Sequence, residues 1–475
     1  MGMVLAGFTF TMLAFALIGL ASSRAAQAQV SDYLVAGRAT PPWIAGLSAV
    51  ASNNSGFMFI GAVGLTYRCG LAAFWLFFAW IAGDYLSWLL VHRKLRERSE
   101  AQDNNSVTGF LAHDGTSHQR SLQLLLGCLT VVFLTLYAAA QLKAGSKAIE
   151  STLQWSPTSG MVIGAVMVAA YSFAGGIRAS MWTDVAQAMV MIIAMSALVW
   201  VCHQRIAPLS ELTQHLGAID PDLLKWSPAE ATLGLWPYAM GWFIAGFGGI
   251  GQPHMIIRAM TVSSPQGVTQ MRRIYFTWYI LFSVLTMLVG LFARVYFERA
   301  SHLKFDEEVA LPLLADAHLA PLWVGLILAG IFAASMSTAD SQVLASSASL
   351  TQDIMTHKRE SYLASKVATL SVVACALVVA LLGPSSVFEI VTLAWGLMMT
   401  CLAPLMIARV MEWHVSFQHY LVVISLGLAA MLTWKYQLGL GNALYEGAVG
   451  FLVTMPLLAL SAHLSRSQDS SQSPK

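Results

Sequence analysis

Apolar runs of roughly the length needed to cross a bilayer recur along the whole chain, each ended by a short polar segment carrying Arg, Lys, Gly or Pro. A spanning helix needs about 20 mostly apolar residues. Thirteen runs satisfy that requirement: 3–22, 42–66, 71–92, 121–147, 158–176, 182–203, 235–256, 274–297, 319–347, 362–382, 385–408, 417–435 and 441–463. Several are longer than the hydrocarbon thickness demands, which predicts tilting or partial unwinding. The longest polar connections, 93–120, 204–234 and 298–318, are only loop-sized and leave no room for a soluble catalytic domain. The predicted fold class is an all-α polytopic membrane protein with about 13 transmembrane helices.

Composition agrees with this pattern. Of 475 residues, 57% are hydrophobic and 11% charged, well below the one-quarter charged of an ordinary soluble domain. The net charge of +2 gives no electrostatic basis for a nucleic-acid partner. With the amino terminus outside and the spans alternating, seventeen of the 26 Lys and Arg residues fall on the inner side and nine on the outer. That bias predicts an outside amino terminus and a cytoplasmic carboxyl terminus. Ala26-Gln27-Ala28 resembles a processing site after an apolar stretch, but no positive charge precedes the run and Arg24 follows it. A retained helix is therefore expected. The segment 464–475 reads as a polar, disordered tail. Five scattered cysteines with no C-x-x-C spacing indicate neither a disulfide framework nor a zinc site.

Two motif matches are dismissed. Gly246-Phe247-Gly248-Gly249-Ile250-Gly251 fits a dinucleotide fingerprint, but no βαβ strand precedes it. The glycosylation patterns at Asn53 and Asn104 fall in mid-membrane and on the inner side. No zincin, Walker A or nucleophile-elbow motif occurs, so an enzyme is not expected.

More telling is Ala51-Ser52-Asn53-Asn54-Ser55-Gly56 within the second span. Unwound backbone survives in a membrane only where it is buried in protein or lines a cavity, and there its carbonyls can ligate a cation. The alternative is a small-residue packing patch. The ninth span carries a second such segment, with Ser337, Thr338 and Ser341 hydroxyls and the Asp340 carboxylate, followed by Ser346 and Ser347. These are hard oxygen donors suited to an alkali cation; the alternative is hydroxyl back-bonding to the helix's own carbonyls. Asp184 is either functional or a helix cap. Pro253 is expected to break the seventh span, with His254 a structural or gate-region donor rather than a proton relay.

These segments, with Asp32-Tyr33-Leu34-Val35-Ala36-Gly37-Arg38, Gly175-Gly176 through Asp184 and Gln187, Gly251-Gln252-Pro253-His254, and Ala329-Gly330 through Thr338, resemble the sodium:solute symporter family over roughly 31–410. The resemblance implies leucine-transporter-like inverted five-helix repeats, 41–203 and 235–408, with an extra helix in 1–30 and two more in 417–463. It implies one sodium held by the carbonyls of Ala51, Asn54 and Ala334 and the hydroxyls of Ser337 and Thr338. A second sodium, found in some members, would use Asp184, Ser337, Asp340 and Ser341, with Asp340 standing where those members carry a hydroxyl. The implied solute lining is Asn53, Ser55, Gly56, Phe57, Tyr137 and Gln141. Asn53, Phe57, Ala245 and Gly249 depart from the pattern of the proline carriers, and Lys143 near the outer end opens the option of an anionic or zwitterionic solute.

The expected function is sodium-coupled import of a small polar organic solute, such as an amino acid, organic acid or sugar, across a bacterial inner membrane. A transporter-like sensor with a separate signalling partner, and proton coupling through Asp184 or Asp340, are the alternatives. Lipid, sodium and solute are the expected partners, and no oligomeric state is assigned.

Overall fold

The computed structural model describes residues 1–24, 27, 29–113, 119–228, 231–299, 306–384 and 386–472. The 26–28 motif lies, apart from Gln27, outside them. Ten helices among the described residues are long and apolar enough to cross a membrane. The three remaining expected spans are 42–66, 158–176 and 235–256, and in each the helix is short or interrupted. A broken helix fails a continuous-length criterion for the same reason that it is of interest: its freed backbone groups must be satisfied by protein or ligand.

Helix α1 is Gly2–Ser23, α2 Pro42–Phe59, α3 Gly61–Cys69 and α4 Phe74–Ser87. Then come α5 Arg120–Leu153 and α6 Pro157–Arg205. The second half of the chain holds α7 Leu235–Phe247, α8 Pro253–Thr261, α9 Gly267–Arg299 and α10 Pro321–Ala348. It ends with α11 Tyr362–Leu382, α12 Val387–Val410, α13 Phe417–Leu432 and α14 Glu446–Gln472. Helix α14 thus extends past residue 464, where the sequence places a disordered tail; residues 473–475 lie outside the described set.

Two positions show why the chain bends where it does. Between the expected fifth and sixth spans there is no loop, only a kink in α6 at Gly176, with φ 56° and ψ −146°. A Cβ there would sit 2.4 Å from the Tyr33 carbonyl, so both the positive φ and the close approach call for glycine. In α2 the helical dihedrals fail at Ser55, with φ 41° and ψ 178°. The core gathers around α10, which is buried along most of its length from Val324 to Ala348 and packs on α1, α2, α5 and α6.

The two ends of the bundle differ. At one end Arg38 donates to the carbonyls of Asn104 (2.7 Å), Ser99 (3.2 Å) and Met260 (3.3 Å). Close by, Arg96 donates to the Val262 carbonyl at 2.6 Å, Arg409 to the Leu111 carbonyl at 2.7 Å, and Arg178 pairs with buried Asp32. Thr40 and Val262 form a short backbone bridge in the same region. This end is tied shut. At the other end a cavity of about 610 Å³ opens, lined by residues including Arg68, Lys147, Glu308, Phe388 and Tyr445.

Candidate functional site

The break in α2 is held from below and from both sides. The Gly56 amide donates to Gln141 Oε1 of α5 (3.0 Å), and the Phe57 amide donates to its neighbour Ser55 Oγ (3.1 Å). In an unbroken helix these two amides serve the carbonyls of Ser52 and Asn53. The Ser52 carbonyl instead accepts from the Thr338 hydroxyl of α10 at 3.0 Å. That hydroxyl also lies 3.1 Å from the Ala334 carbonyl. One side-chain oxygen therefore draws a carbonyl of α2 and a carbonyl of α10 to the same point. Two residues on from Ser52, the buried carboxamide of Asn54 has neither its oxygen nor its nitrogen hydrogen-bonded. An orphaned buried polar group is costly and calls for a partner, a water or an ion. The donors are neutral oxygens, which fits a hard monovalent cation.

The expectation of two interrupted helices is corrected here. Helix α10 is continuous from Pro321 to Ala348 and departs from α-geometry only at a π-turn over Ser349–Ile354. Its hydroxyls account for this: Ser335 donates to the Ile331 carbonyl (3.0 Å) and Ser341 to the Ser337 carbonyl (2.7 Å), four residues back in each case. Polar side chains that satisfy themselves on their own helix need no break. Ser337 is turned away from Thr338, donating to Asp184 Oδ1 at 2.5 Å.

Asp184 is not a helix cap. It lies fully buried in the second part of α6, where Oδ2 accepts from Ser48 at 2.5 Å. Asp340 Oδ1 accepts from Ser180 and Ser341, both at 3.1 Å, while Oδ2 is buried without a partner. Asp184, far from the others in sequence, does meet Ser337, Asp340 and Ser341 in one polar pocket. Into this pocket comes a residue that the sequence analysis did not single out. Arg258 of α8, fully buried, bonds closely to Ser341 and lies 3.5 Å from Asp184 Oδ2. An arginine within an otherwise apolar helix was the available signal.

Beside the break lies a small apolar space of about 20 Å³, lined by Asn53, Phe57, Trp80, Tyr137, Tyr279 and Trp395 among others. Asn53, Phe57 and Tyr137 were expected there. Ser55, Gly56 and Gln141 brace the break instead of lining this space. The sequence reading missed Trp80, Tyr279 and Trp395, because aromatic side chains are common throughout spans and carry no spacing signal. Trp80 and Trp395 are in ring contact at 4.8 Å. The Phe57 and Phe388 rings, stacked at 5.4 Å, lie between this space and the large cavity. Lys143 donates to the Gly383 carbonyl at 3.0 Å, so its ammonium is already engaged. The His254 ring stands edge-on to Tyr137 at 5.5 Å with both nitrogens unpartnered.

Residues 33–418 match the sodium:solute symporter family. A high-affinity proline transporter of Bacillus subtilis (strain 168) is 28% identical over 434 residues, covering 90% of this chain and 91% of that protein. A sodium/proline symporter of Escherichia coli (strain K12) is 28% identical over 465 residues, covering 94% and 90%. Among solved structures, the substrate-bound, outward-open state of a Na⁺-coupled sialic acid symporter superposes with TM-score 0.82 at 19% identity, covering 97% of both chains. A nucleobase-cation-symport-1 family transporter in a closed conformation gives TM-score 0.61 at 14% identity, covering 91% of this chain and 95% of the other. The fold is thus the one these transporters share, and with most of its length matching the family the chain belongs to the sodium:solute symporters.

Proposed function

We propose that this sodium-coupled transporter binds its ion where the α2 break meets α10 and its solute in the aromatic space beside Asn53. One observation carries the reading: the Thr338 hydroxyl joins a carbonyl of the α2 break, that of Ser52, to the Ala334 carbonyl of α10. The carbonyls of Ala51, Asn54 and Ala334 and the hydroxyls of Ser337 and Thr338 form the proposed ligand set. Ser337 reaches it by rotating away from Asp184.

The thirteen-span layout is retained in this proposal, with the three broken helices counted as spans and the five-helix repeats at 41–203 and 235–408. The end tied shut by Arg38, Arg96 and Arg409 is cytoplasmic, as its positive charge favours, and the amino terminus is outside. The large cavity then opens outward, and the Phe57–Phe388 stack separates it from the solute space. Sodium at the junction fixes α2 against α10 and so orders Asn53 and Phe57 on the other side of the same break. Ion and solute share one conformational equilibrium, so each tightens the other's binding by the same factor. Rocking of one bundle against the other, with loss of the Arg38 contacts, would release both inward.

The space, about 20 Å³, is lined by aromatic and aliphatic side chains with the Asn53 carboxamide, two tyrosines and no charged side chain; it holds about one water as it stands and must widen to admit a solute, and its lining suits a compact one with a small polar head. Proline, the solute named for the curated relatives, is the first compound to test. Purified protein in proteoliposomes, given a sodium gradient and labelled proline, other amino acids, sugars and carboxylates, should accumulate one class. Replacing sodium with choline at fixed pH should abolish that uptake. Thr338→Ala should raise the half-saturating sodium concentration about 10-fold, the equivalent of about 1.4 kcal/mol for one ligating group. Unchanged sodium dependence in Thr338→Ala would refute the proposed ligands.

A further inference from the structure

Asp84 is an acid within a span that neither the ion junction nor the Arg258 pocket uses. It lies buried in α4, where Oδ2 accepts from the Tyr275 hydroxyl of α9 at 2.7 Å. Oδ1 is held less well. The Ser87 hydroxyl stands 3.2 Å from it but only 2.7 Å from the Asp84 carbonyl, and has one proton to give. The donors that face the carboxyl group, Tyr275, Ser87 and Trp88, are all neutral. Among the described residues no ion pair includes Asp84. An acid in a span is rare and by default functional, and a carboxylate buried with no cation beside it is costly.

Three walls of the small space beside Asn53 lead to this acid. Trp80 lies one turn before Asp84 on α4, and Tyr279 one turn after Tyr275 on α9. The third wall is Trp395 of α12. A Cβ on Gly249, in the turn Gly248–Gly251 between α7 and α8, would stand 3.5 Å from Asp84 Oδ1 and 3.9 Å from Trp395 Cζ2. Both are ordinary contact distances, so the glycine leaves room for at least a methyl group between the carboxylate and the indole. We infer that Asp84 is a solute-binding residue: its carboxylate takes the ammonium of an amine-bearing solute through the gap at Gly249, which restricts the transported class to amino acids and other organic amines. The inference rests on the solute site proposed above and narrows it. An ammonium supplied by the solute removes the cost of the lone buried carboxylate. It also meets the Trp80 and Trp395 rings, in contact at 4.8 Å, whose faces attract organic cations. Asn53 and the α2 break remain for the other end of the molecule. A sugar brings no charge to the acid, and an amine-free carboxylate brings the wrong one.

The test uses the full-length protein in proteoliposomes with a sodium gradient and labelled common amino acids, putrescine, glucose, galactose, pyruvate and succinate. Wild type should accumulate an amino acid or putrescine. Asp84→Asn keeps the shape of the group and its acceptor for Tyr275, and should raise the half-saturating concentration of that solute about 10- to 150-fold, as for loss of a charge-assisted hydrogen bond. The analogue lacking the amine, cyclopentanecarboxylate where the solute is proline, should inhibit wild type and Asp84→Asn equally weakly. ²²Na⁺ binding without solute is the control for folding. If Asp84→Asn does not reach the membrane, Gly249→Ala decides: its methyl fits without displacing a neighbour, fills the gap, and should raise the same half-saturating concentration. An unchanged value in whichever variant is measured would overturn the inference. So would an amine-free analogue weakened by Asp84→Asn as much as the amine, since that is the mark of a structural role. Accumulation of a sugar or an amine-free carboxylate instead would overturn the inference and leave sodium coupling standing. Accumulation of none by wild type would overturn both.

Discussion

The α2 break is seated so tightly that one methyl group should disturb ion binding. In Gly56→Ala the new Cβ would lie 2.4 Å from Ser335 Oγ, 2.6 Å from Ala144 Cβ and 3.2 Å from Gln141 Oε1. Ordinary carbon contacts are about 3.5–4.0 Å, so the break must move roughly 1 Å from α5 and α10. The Ala144 methyl cannot rotate away, and Ser335 Oγ is held by the Ile331 carbonyl at 3.0 Å. Overpacking of this kind costs about 1–3 kcal/mol. The strain exists only while α2 is seated against α10, the arrangement that brings the Ser52 and Ala334 carbonyls to Thr338. It should therefore appear as a loss of apparent sodium affinity of about 5- to 150-fold. The assay is the sodium dependence of ²²Na⁺ binding, with membrane protein level as the control for folding. Adding Ala144→Gly removes the 2.6 Å contact and should restore part of the loss, a coupling that a double-mutant cycle would measure. Sodium affinity unchanged in a well-expressed Gly56→Ala protein would refute the seating argument.

Two further perturbations address the ends of the molecule. Arg38→Gln removes charge-assisted donation to the Asn104, Ser99 and Met260 carbonyls; at about 1.5 kcal/mol for a partly exposed group, the closed end should open about 10-fold more often. Maleimide labelling of Thr261→Cys, buried at that end, should accelerate accordingly, and an unchanged rate would count against Arg38 as a closure. Phe388→Ala deletes the ring stacked on Phe57, a contact worth about 0.5–1.5 kcal/mol. Labelling of Val391→Cys, which lines the small space beside Asn53, by a membrane-impermeant maleimide should then rise about 2- to 13-fold, and no rise would exclude the stack as a barrier.

The sequence by itself determined what depends on composition and local spacing. Apolar runs of spanning length specify helices, and five consecutive small or polar residues at 51–55 mark where one of them fails, since Ser55 is the residue that leaves helical geometry. It also supplied the oxygen donors on α10. It did not decide whether α10 would break, because a hydroxyl can either bond its own helix or free a carbonyl, and only the packing around it selects between the two. Ser335 and Ser341 chose their own helix, and Thr338 faced both ways. The tertiary structure alone decided the content of the polar pocket. A long Arg side chain on α8 can reach outward or inward with the same local sequence, and Arg258 turns inward because Asp184 and Ser341 from α6 and α10 wait there. The aromatic walls of the small space beside Asn53 are likewise set by which faces of α4, α9 and α12 meet, a relation between distant segments that no local pattern records.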